Sequence, residues 1–224
     1  VTVVAMISMK GHSSRVPGKN LRPFLKRPLY SWILDTLLNA KRIDQVIVET
    51  DSNEIQESVQ TLYDLPVFRR PPELVGDHVP MNDLIAFNMK NVPADVYVQT
   101  HATNPLLKSE TIDRAIATFL ENIDSYDSLF GVIERRTRLF WPDGRAINHN
   151  PDELIPTQDL PPVCQENSNI YVFTKQSFAK RNHRIGVRPY LFSIDQWEAI
   201  DIDDEIDFQF AEFLASRKLQ TSGN

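Results

Sequence analysis

Val3-Val4-Ala5-Met6-Ile7 is an apolar, β-branched run, and after Ser8 it is followed by Met9-Lys10-Gly11-His12-Ser13-Ser14-Arg15-Val16-Pro17-Gly18-Lys19-Asn20-Leu21. A strand that empties into a glycine-bearing loop with Lys10, Arg15 and Lys19 has the ingredients of a polyphosphate cradle: backbone N–H groups, hydroxyls and positive charge. The plain alternative is a solvated basic turn between a strand and a helix. Neither common nucleotide fingerprint is present. A Walker loop needs Gly-Lys-Ser/Thr, and here Gly18-Lys19 is followed by Asn20; there is no G-x-G-x-x-G.

Further apolar runs recur at Gln45 to Val48, Val67 to Phe68 and Val96 to Val98, with segments of helical spacing between them. That alternation predicts βαβ units and a mostly parallel sheet flanked by helices, an α/β fold. The first helix is expected from Pro28, with Leu29, Trp32, Ile33, Leu37 and Leu38 on its inner face. Asp51-Ser52 can cap a second helix that buries Ile55, Val59 and Leu62. A third runs from Met81 to Lys90, and a fourth starts at Ser109 as cap, with Ile112, Ala115, Ile116, Phe119 and Leu120 inward. Strands follow at Ser128 to Val132, Asn169 to Phe173 and Tyr190 to Ile194. A closing helix from Glu205 to Leu219 offers Ile206, Phe210, Phe213 and Leu214 to the core.

Between Thr137 and Pro162 the regular alternation stops. The stretch holds five prolines and few periodic apolar residues, so it reads as a long surface loop or an arm packed on something else.

The 224 residues suit a single domain, 1–224, with an appendage at about 137–162, and a core that needs no disulfide or metal support. A net charge of -6, with the cations dispersed outside the first loop, argues against a nucleic-acid binder. Cys164 is the only cysteine, which excludes a disulfide framework and a cysteine-rich zinc site and suits a reducing compartment. No run is long enough for a membrane span and no signal-peptide pattern opens the chain, so a cytoplasmic location is expected. There is no G-x-S-x-G elbow and no evident base beside Cys164, which leaves hydrolase chemistry unsupported.

The second informative stretch is Glu198-Ala199-Ile200-Asp201-Ile202-Asp203-Asp204-Glu205. In an extended segment Asp201 and Asp203 share one face while Ile200 and Ile202 turn to the core. Two converging carboxylates suit Mg²⁺, whose shell is commonly completed by phosphates and water. Capping of the following helix by Asp203 or Asp204, with acids favoured in the first turn, is the competing reading.

The first loop resembles the signature of the sugar-activating cytidylyltransferases, the family of CMP-sialic acid and CMP-Kdo synthetases, which reads A-R-G-G-S-K-R-x-P-G-K-N-L. Gly11, Ser13, Arg15, Pro17, Gly18, Lys19, Asn20 and Leu21 match. Lys10 replaces an arginine, keeping charge but losing the fork, and Ser14 replaces a lysine. The resemblance continues in order through Glu49-Thr50-Asp51 (S-T-D), Arg70-Pro71-Pro72-Glu73-Leu74-Val75-Gly76-Asp77 (R-P-x-E-L-x-x-D), His101-Ala102-Thr103-Asn104-Pro105-Leu106 (Q-P-T-S-P-L), Gln165-Glu166-Asn167-Ser168-Asn169-Ile170-Tyr171 (R-P-N-G-x-I-Y) and Asp201-Ile202-Asp203 (D-I-D).

This resemblance implies a Rossmann-like nucleotide-diphospho-sugar transferase fold with a protruding dimerisation arm. It implies transfer of CMP from CTP to an acidic 2-keto-3-deoxy sugar of the sialic acid type, with Mg²⁺ and release of pyrophosphate. Lys10 and Lys19 would be catalytic, with Asp201 and Asp203 as metal ligands. CTP would be held by Lys10, Gly11, Ser13, Arg15, Lys19, Asn20, Arg70 and Asp77, and the sugar by His101, Thr103, Asn104, Gln165 and Asn167. Gln165 departs from the family arginine, which bears on the identity of the sugar. A homodimer is implied, its arm reaching the neighbour. A metal-dependent glycosyltransferase and a catalytically silent nucleotide-binding homologue remain the alternatives.

Overall fold

The computed structural model describes residues 1–222, with side chains as far as 218; the last two residues of the expected 1–224 domain lie outside the described residues. In chain order the elements are β1 (Val3–Met9), β2 (Pro23–Phe24), β3 (Arg27–Pro28), α1 (Leu29–Asn39), β4 (Gln45–Thr50), α2 (Asn53–Leu62), β5 (Val67–Arg69), α3 (Met81–Asn91), β6 (Val96–Thr100), α4 (Ser109–Glu121), β7 (Ser128–Arg135), β8 (Val163–Phe173), α5 (Lys175–Arg181), β9 (Pro189–Ser193) and α6 (Glu205–Ser222).

Seven strands form one sheet in the order β5-β4-β1-β6-β8-β7-β9. β1 pairs in parallel with β4 and β6, β4 with β5, and β7 with β9, while β8 is antiparallel to both neighbours. The sheet is therefore mostly parallel, as the alternation predicts. β1 sits at its centre with apolar residues on both faces: Ala5 and Ile7 join the cluster under α1 and α4, and Val4 and Met6 join the one with Ile85 and Met89 of α3. After β1 the chain builds β4 and β5 on one side, then crosses to place β6 on the other. That reversal opens a crevice at the carboxyl ends of β1, β4 and β6, where open α/β sheets bind their ligands.

Several sequence expectations are corrected. In α6 the buried residues are Phe208, Ala211 and Ala215, whereas Ile206, Phe210 and Phe213 are exposed and only Leu214 packs as expected. The small alanines let the helix approach the β2–β3 hairpin, with Phe208 edge-on to Phe24 at 5.6 Å; the larger residues lie on the opposite stripe. Leu38 and Leu62 are likewise exposed near the ends of α1 and α2, where the helices run past the sheet. The α4 cap is Lys108, with no side-chain bond, and Ser109 is already helical.

β7 and β8 run well beyond the sheet as a two-stranded ribbon to Arg135 and Val163, so β8 begins six residues earlier than expected. Beyond it the segment 136–162 is irregular, tied to itself by bonds such as Asn148 Nδ2 to the Thr137 carbonyl (2.7 Å). Leu139, Phe140, Trp141, Ile147 and Leu154 are exposed on it.

Candidate active site

The loop after β1 is shaped by its own sequence. Val16 is buried against Phe24, Leu106, Ile202 and Phe208, which pins the middle of the loop to the hairpin and α6. Gly18 takes φ +62, a conformation that favours glycine, and its carbonyl accepts from Leu21 and Arg22 N–H at 3.0 and 2.9 Å. Asn20 Nδ2 donates to the Lys10 carbonyl (2.9 Å), closing the loop across its base. Gly11 N–H donates to Asp51 Oδ1 (2.7 Å), and a Cβ there would lie 2.7 Å from Ser52 Cβ. Ser52 is the α2 cap, accepting from Ile55 N–H. Gly11→Ala is therefore expected to force the loop off α2, costing about 1–3 kcal/mol in urea unfolding.

The loop faces a cavity of about 360 Å³. Lys10, Ser13, Arg15, Lys19, Asn20, Arg70, His101, Thr103, Asp201 and Asp203 line it, so most of the expected site residues converge from four separate stretches of chain. Gly11, Asp77, Asn104, Gln165 and Asn167 are not among the lining residues. Asp77 is exposed and bonded to Lys10 Nζ at 2.7 Å, which holds its carboxyl below the usual range. Asn104 is fully buried and ties the Thr103 turn to the Ile200 carbonyl. Asn167 Oδ1 accepts from Asn169 N–H, and Gln165 stands on the ribbon, accepting from Arg135 Nε at 2.6 Å.

The two readings of the acidic stretch separate cleanly. Asp204 Oδ1 accepts from Ile206 and Asp207 N–H (2.8 and 3.0 Å), so Asp204 caps α6. Asp207 Oδ2 answers by accepting from Asp203 and Asp204 N–H. Capping thus does not use the side chains of Asp201 and Asp203, which line the cavity. Ile202 N–H bonds to the Thr103 carbonyl (2.9 Å), which fixes the extended segment against the end of β6.

Asp201 is half-buried, and its Oδ1 is closed to solvent without a hydrogen-bond partner. Burial pushes its carboxyl above the usual range; a Thr103 hydrogen bond and Lys19 oppose that shift, while Asp203 adds to it. Asp203 is exposed and paired with Arg15 at 2.7 Å. Lys19 Nζ donates to the Ile202 carbonyl (2.6 Å), between the two aspartates. Burial lowers its pKa, outweighing the aspartates that raise it. An orphaned oxygen beside a second, electrostatically coupled carboxylate fits a hard cation. Among the described residues no cluster of three or more acidic, histidine or cysteine side chains forms a complete cage, so such a cation would need phosphate and water to finish its shell.

Arg70 is buried, with Nε on Glu49 and Nη1 3.4 Å from Asp51 Oδ2. Asp51 therefore holds both Gly11 and Arg70, a joining role that a helix-cap reading does not reveal. Burial raises the Glu49 carboxyl, with Arg70 pulling the other way. His101 is driven down to about 3, by burial first and then by the charges of Arg184 and Lys19. Gln99 Nε2 and Arg184 Nη1 approach His101 Nε2 at 3.0 and 3.3 Å. With two donors on Nε2, the proton of this neutral ring belongs on Nδ1. Sequence reasoning missed Ser8, His12, Ser14, Met81, Leu84, Ser168 and Arg184 as lining residues. Ser14 was quoted only as a departure from the family loop, and no motif pointed to Arg184.

Among known proteins, an N-acylneuraminate cytidylyltransferase of Oncorhynchus mykiss is 28% identical over 94% of this chain, which spans only 49% of that protein. A pseudaminic acid cytidylyltransferase of Campylobacter jejuni is 25% identical over 94% of the chain and 95% of its own length. In fold, the structure of CMP:2-keto-3-deoxy-manno-octonic acid synthetase complexed with CTP superposes with a TM-score of 0.73 at 14% identity, covering 97% of this chain and all of that one. The family model described as cytidylyltransferase matches residues 4–219, nearly the whole chain and both ends of the cavity, and the protein belongs to the cytidylyltransferase family of nucleotidyltransferases.

Proposed function

We propose that this protein transfers CMP from CTP to an acidic 2-keto-3-deoxy sugar of the sialic acid type and releases pyrophosphate. The observation that carries the reading is the convergence of Lys10, Arg15 and Lys19 with Asp201 and Asp203 across one cavity. In the reaction a sugar hydroxyl oxygen attacks the α-phosphorus and gives its proton to solvent, and the bond from that phosphorus to the bridging oxygen breaks, its electron pair leaving with pyrophosphate. Charge accumulates on phosphate oxygens, so positioned cations lower the barrier. Lys10, Ser13, Arg15 and Lys19 hold the triphosphate, and Arg15 leaves Asp203 to do so. Asn20 and Arg70 hold the nucleoside; His101 and Thr103 face the sugar. Mg²⁺, held by Asp201 and Asp203, would neutralise part of the developing phosphate charge.

Relatives named for N-acylneuraminate and for pseudaminic acid both support a nine-carbon acidic sugar and do not choose between them. The test is a pyrophosphate-release assay with four nucleoside triphosphates against several 2-keto acids, with and without Mg²⁺. CTP is expected to be preferred. Equal affinity for UTP in competition binding rejects Asn20 and Arg70 as base readers. CTP binding with no turnover on any acid favours the silent homologue, and consumption of a nucleotide sugar without pyrophosphate favours the glycosyltransferase.

The exposed Leu139, Phe140 and Trp141 on the 136–162 arm support a homodimer in which the arm packs on the neighbouring subunit. Light scattering is expected to give a dimer for the intact chain and a monomer once the arm is shortened to a turn between Arg135 and Val163. A dimer unaffected by that deletion rules the arm out.

A further inference from the structure

Arg184 lies on the loop between α5 and β9, and its side chain lines the cavity beside His101. The loop is built to hold it. Thr174 and Ser177 form a capping box at the start of α5, and Asn182 ends the helix at φ +49. Arg184 N–H then donates to Asn82 Oδ1 (3.2 Å), and Ile185 N–H to His183 Nδ1 (2.9 Å). Gly186 N–H donates to Ser128 Oγ (2.8 Å), while Val187 and Arg188 N–H share the Asp127 carboxylate. A Cβ on Gly186 would fall 2.2 Å from Asp127 Oδ1, so a side chain there would displace the carboxylate that holds the loop amides.

The guanidinium itself is only half satisfied. Nη1 donates to Gln99 Oε1 (2.6 Å) and to His101 Nε2 (3.3 Å), Nη2 to the Tyr171 hydroxyl (3.0 Å), and the group lies 3.6 Å from the Tyr171 ring centroid. These partners are neutral. Arg184 forms no ion pair among the described residues; the nearest acid, Glu166, accepts from the Tyr171 hydroxyl, one group away. Nε and one Nη2 hydrogen have no acceptor there either. A partly buried arginine, positioned by a braced loop and left without a counter-ion, is a receptor for an anion. The phosphates have their own cations across His101, in Lys10, Arg15 and Lys19, and the cavity wall near α3 is apolar through Met81 and Leu84. A planar anion on a carbon skeleton suits that surrounding, and a guanidinium edge meets a carboxylate through two parallel bonds.

We infer that Arg184 binds the carboxylate of the acceptor and selects acidic sugars, in place of a residue at position 165. The inference rests on the cytidylyl-transfer reading only for the name of the acceptor. It is tested by calorimetry in the presence of α,β-methylene-CTP, with N-acetylneuraminic acid, pseudaminic acid and 2-keto-3-deoxy-manno-octonic acid, each as free acid and as methyl ester. The wild type is expected to bind at least one acid about a hundredfold more tightly than its ester. Arg184→Met is expected to bring the acid down to the level of the ester with nucleotide affinity unchanged, and Arg184→Lys to lie between. The wild-type comparison needs no variant, so poor folding of Arg184→Met does not blunt the test. Equal binding of acid and ester, no binding of any acid, acid preference surviving in Arg184→Met, or a parallel loss of nucleotide affinity overturns the assignment. Acid binding that depends on Arg184 without any pyrophosphate release sinks the transfer reading and leaves the carboxylate site standing. Pyrophosphate release indifferent to Arg184 does the reverse.

Discussion

Asp201→Asn is expected to lower kcat by about a hundredfold or more while raising the thermal stability of the metal-free protein at neutral pH. Both effects come from one environment. Asp201 is half-buried, its Oδ1 is closed to solvent without a hydrogen-bond partner, and burial raises its pKa. A carboxyl whose folded pKa lies above its unfolded value binds protons more readily in the folded state. Its favourable contribution is full below the unfolded pKa and is lost as pH rises through the folded pKa. At neutral pH the ionised group is a cost that asparagine removes. In wild type, added Mg²⁺ should offset that cost and raise the melting temperature; in Asp201→Asn the rise should shrink. Thermal melts with and without Mg²⁺, beside pyrophosphate-release rates, check this. Near-normal Mg²⁺-dependent turnover, or an undiminished Mg²⁺ effect on melting, refutes the metal assignment. Asp203→Asn should also reduce kcat, with little effect on stability, because Asp203 is exposed and its ion pair with Arg15 is screened.

Lys19→Met is expected to lower kcat/KM by two to three orders of magnitude, roughly what loss of a preorganised charge at a developing oxyanion costs. The ammonium is held by the Ile202 carbonyl at 2.6 Å and flanked by both aspartates, so it need not reorganise when phosphate charge grows. Burial lowers its pKa despite those aspartates, and for a base the sign reverses. Its stability contribution rises with pH through the lowered folded value, so below that value Lys19→Met should fold at least as stably as wild type. The same substitution removes a charge that holds the Asp201 carboxyl down. The acid limb of the pH–rate profile should therefore move to higher pH. A profile that keeps its position, or a loss of less than about tenfold in kcat/KM, would show that Lys19 acts on the loop alone.

The strands were legible because parallel strands buried on both faces read as unbroken apolar runs. Val3 to Ile7 and Val96 to Val98 could be placed from composition alone. α6 was placed correctly along the chain and wrongly around its axis. Its apolar residues cover more than one stripe, and only contact with Phe24 of the hairpin selects Phe208, Ala211 and Ala215 over Ile206, Phe210 and Phe213. The acidic segment shows the same limit: alternation could put Asp201 and Asp203 together, but separating ligand from cap required Asp204 to be seen bonding the α6 amides.

What the sequence determined by itself is therefore local: the strand, the basic, glycine-bearing loop at its end, and the alternation that aligns two aspartates. Tertiary structure alone decided which distant groups share one volume. Lys19 meets the Ile202 carbonyl across 183 positions, and Arg184 meets Gln99 across 85. Arg184 gave no signal in the chain because neither its spacing nor its neighbours are unusual. What marks it is a partly buried charge without a counter-charge, and that property belongs to the space around a residue, which exists only after the sheet has closed beside it.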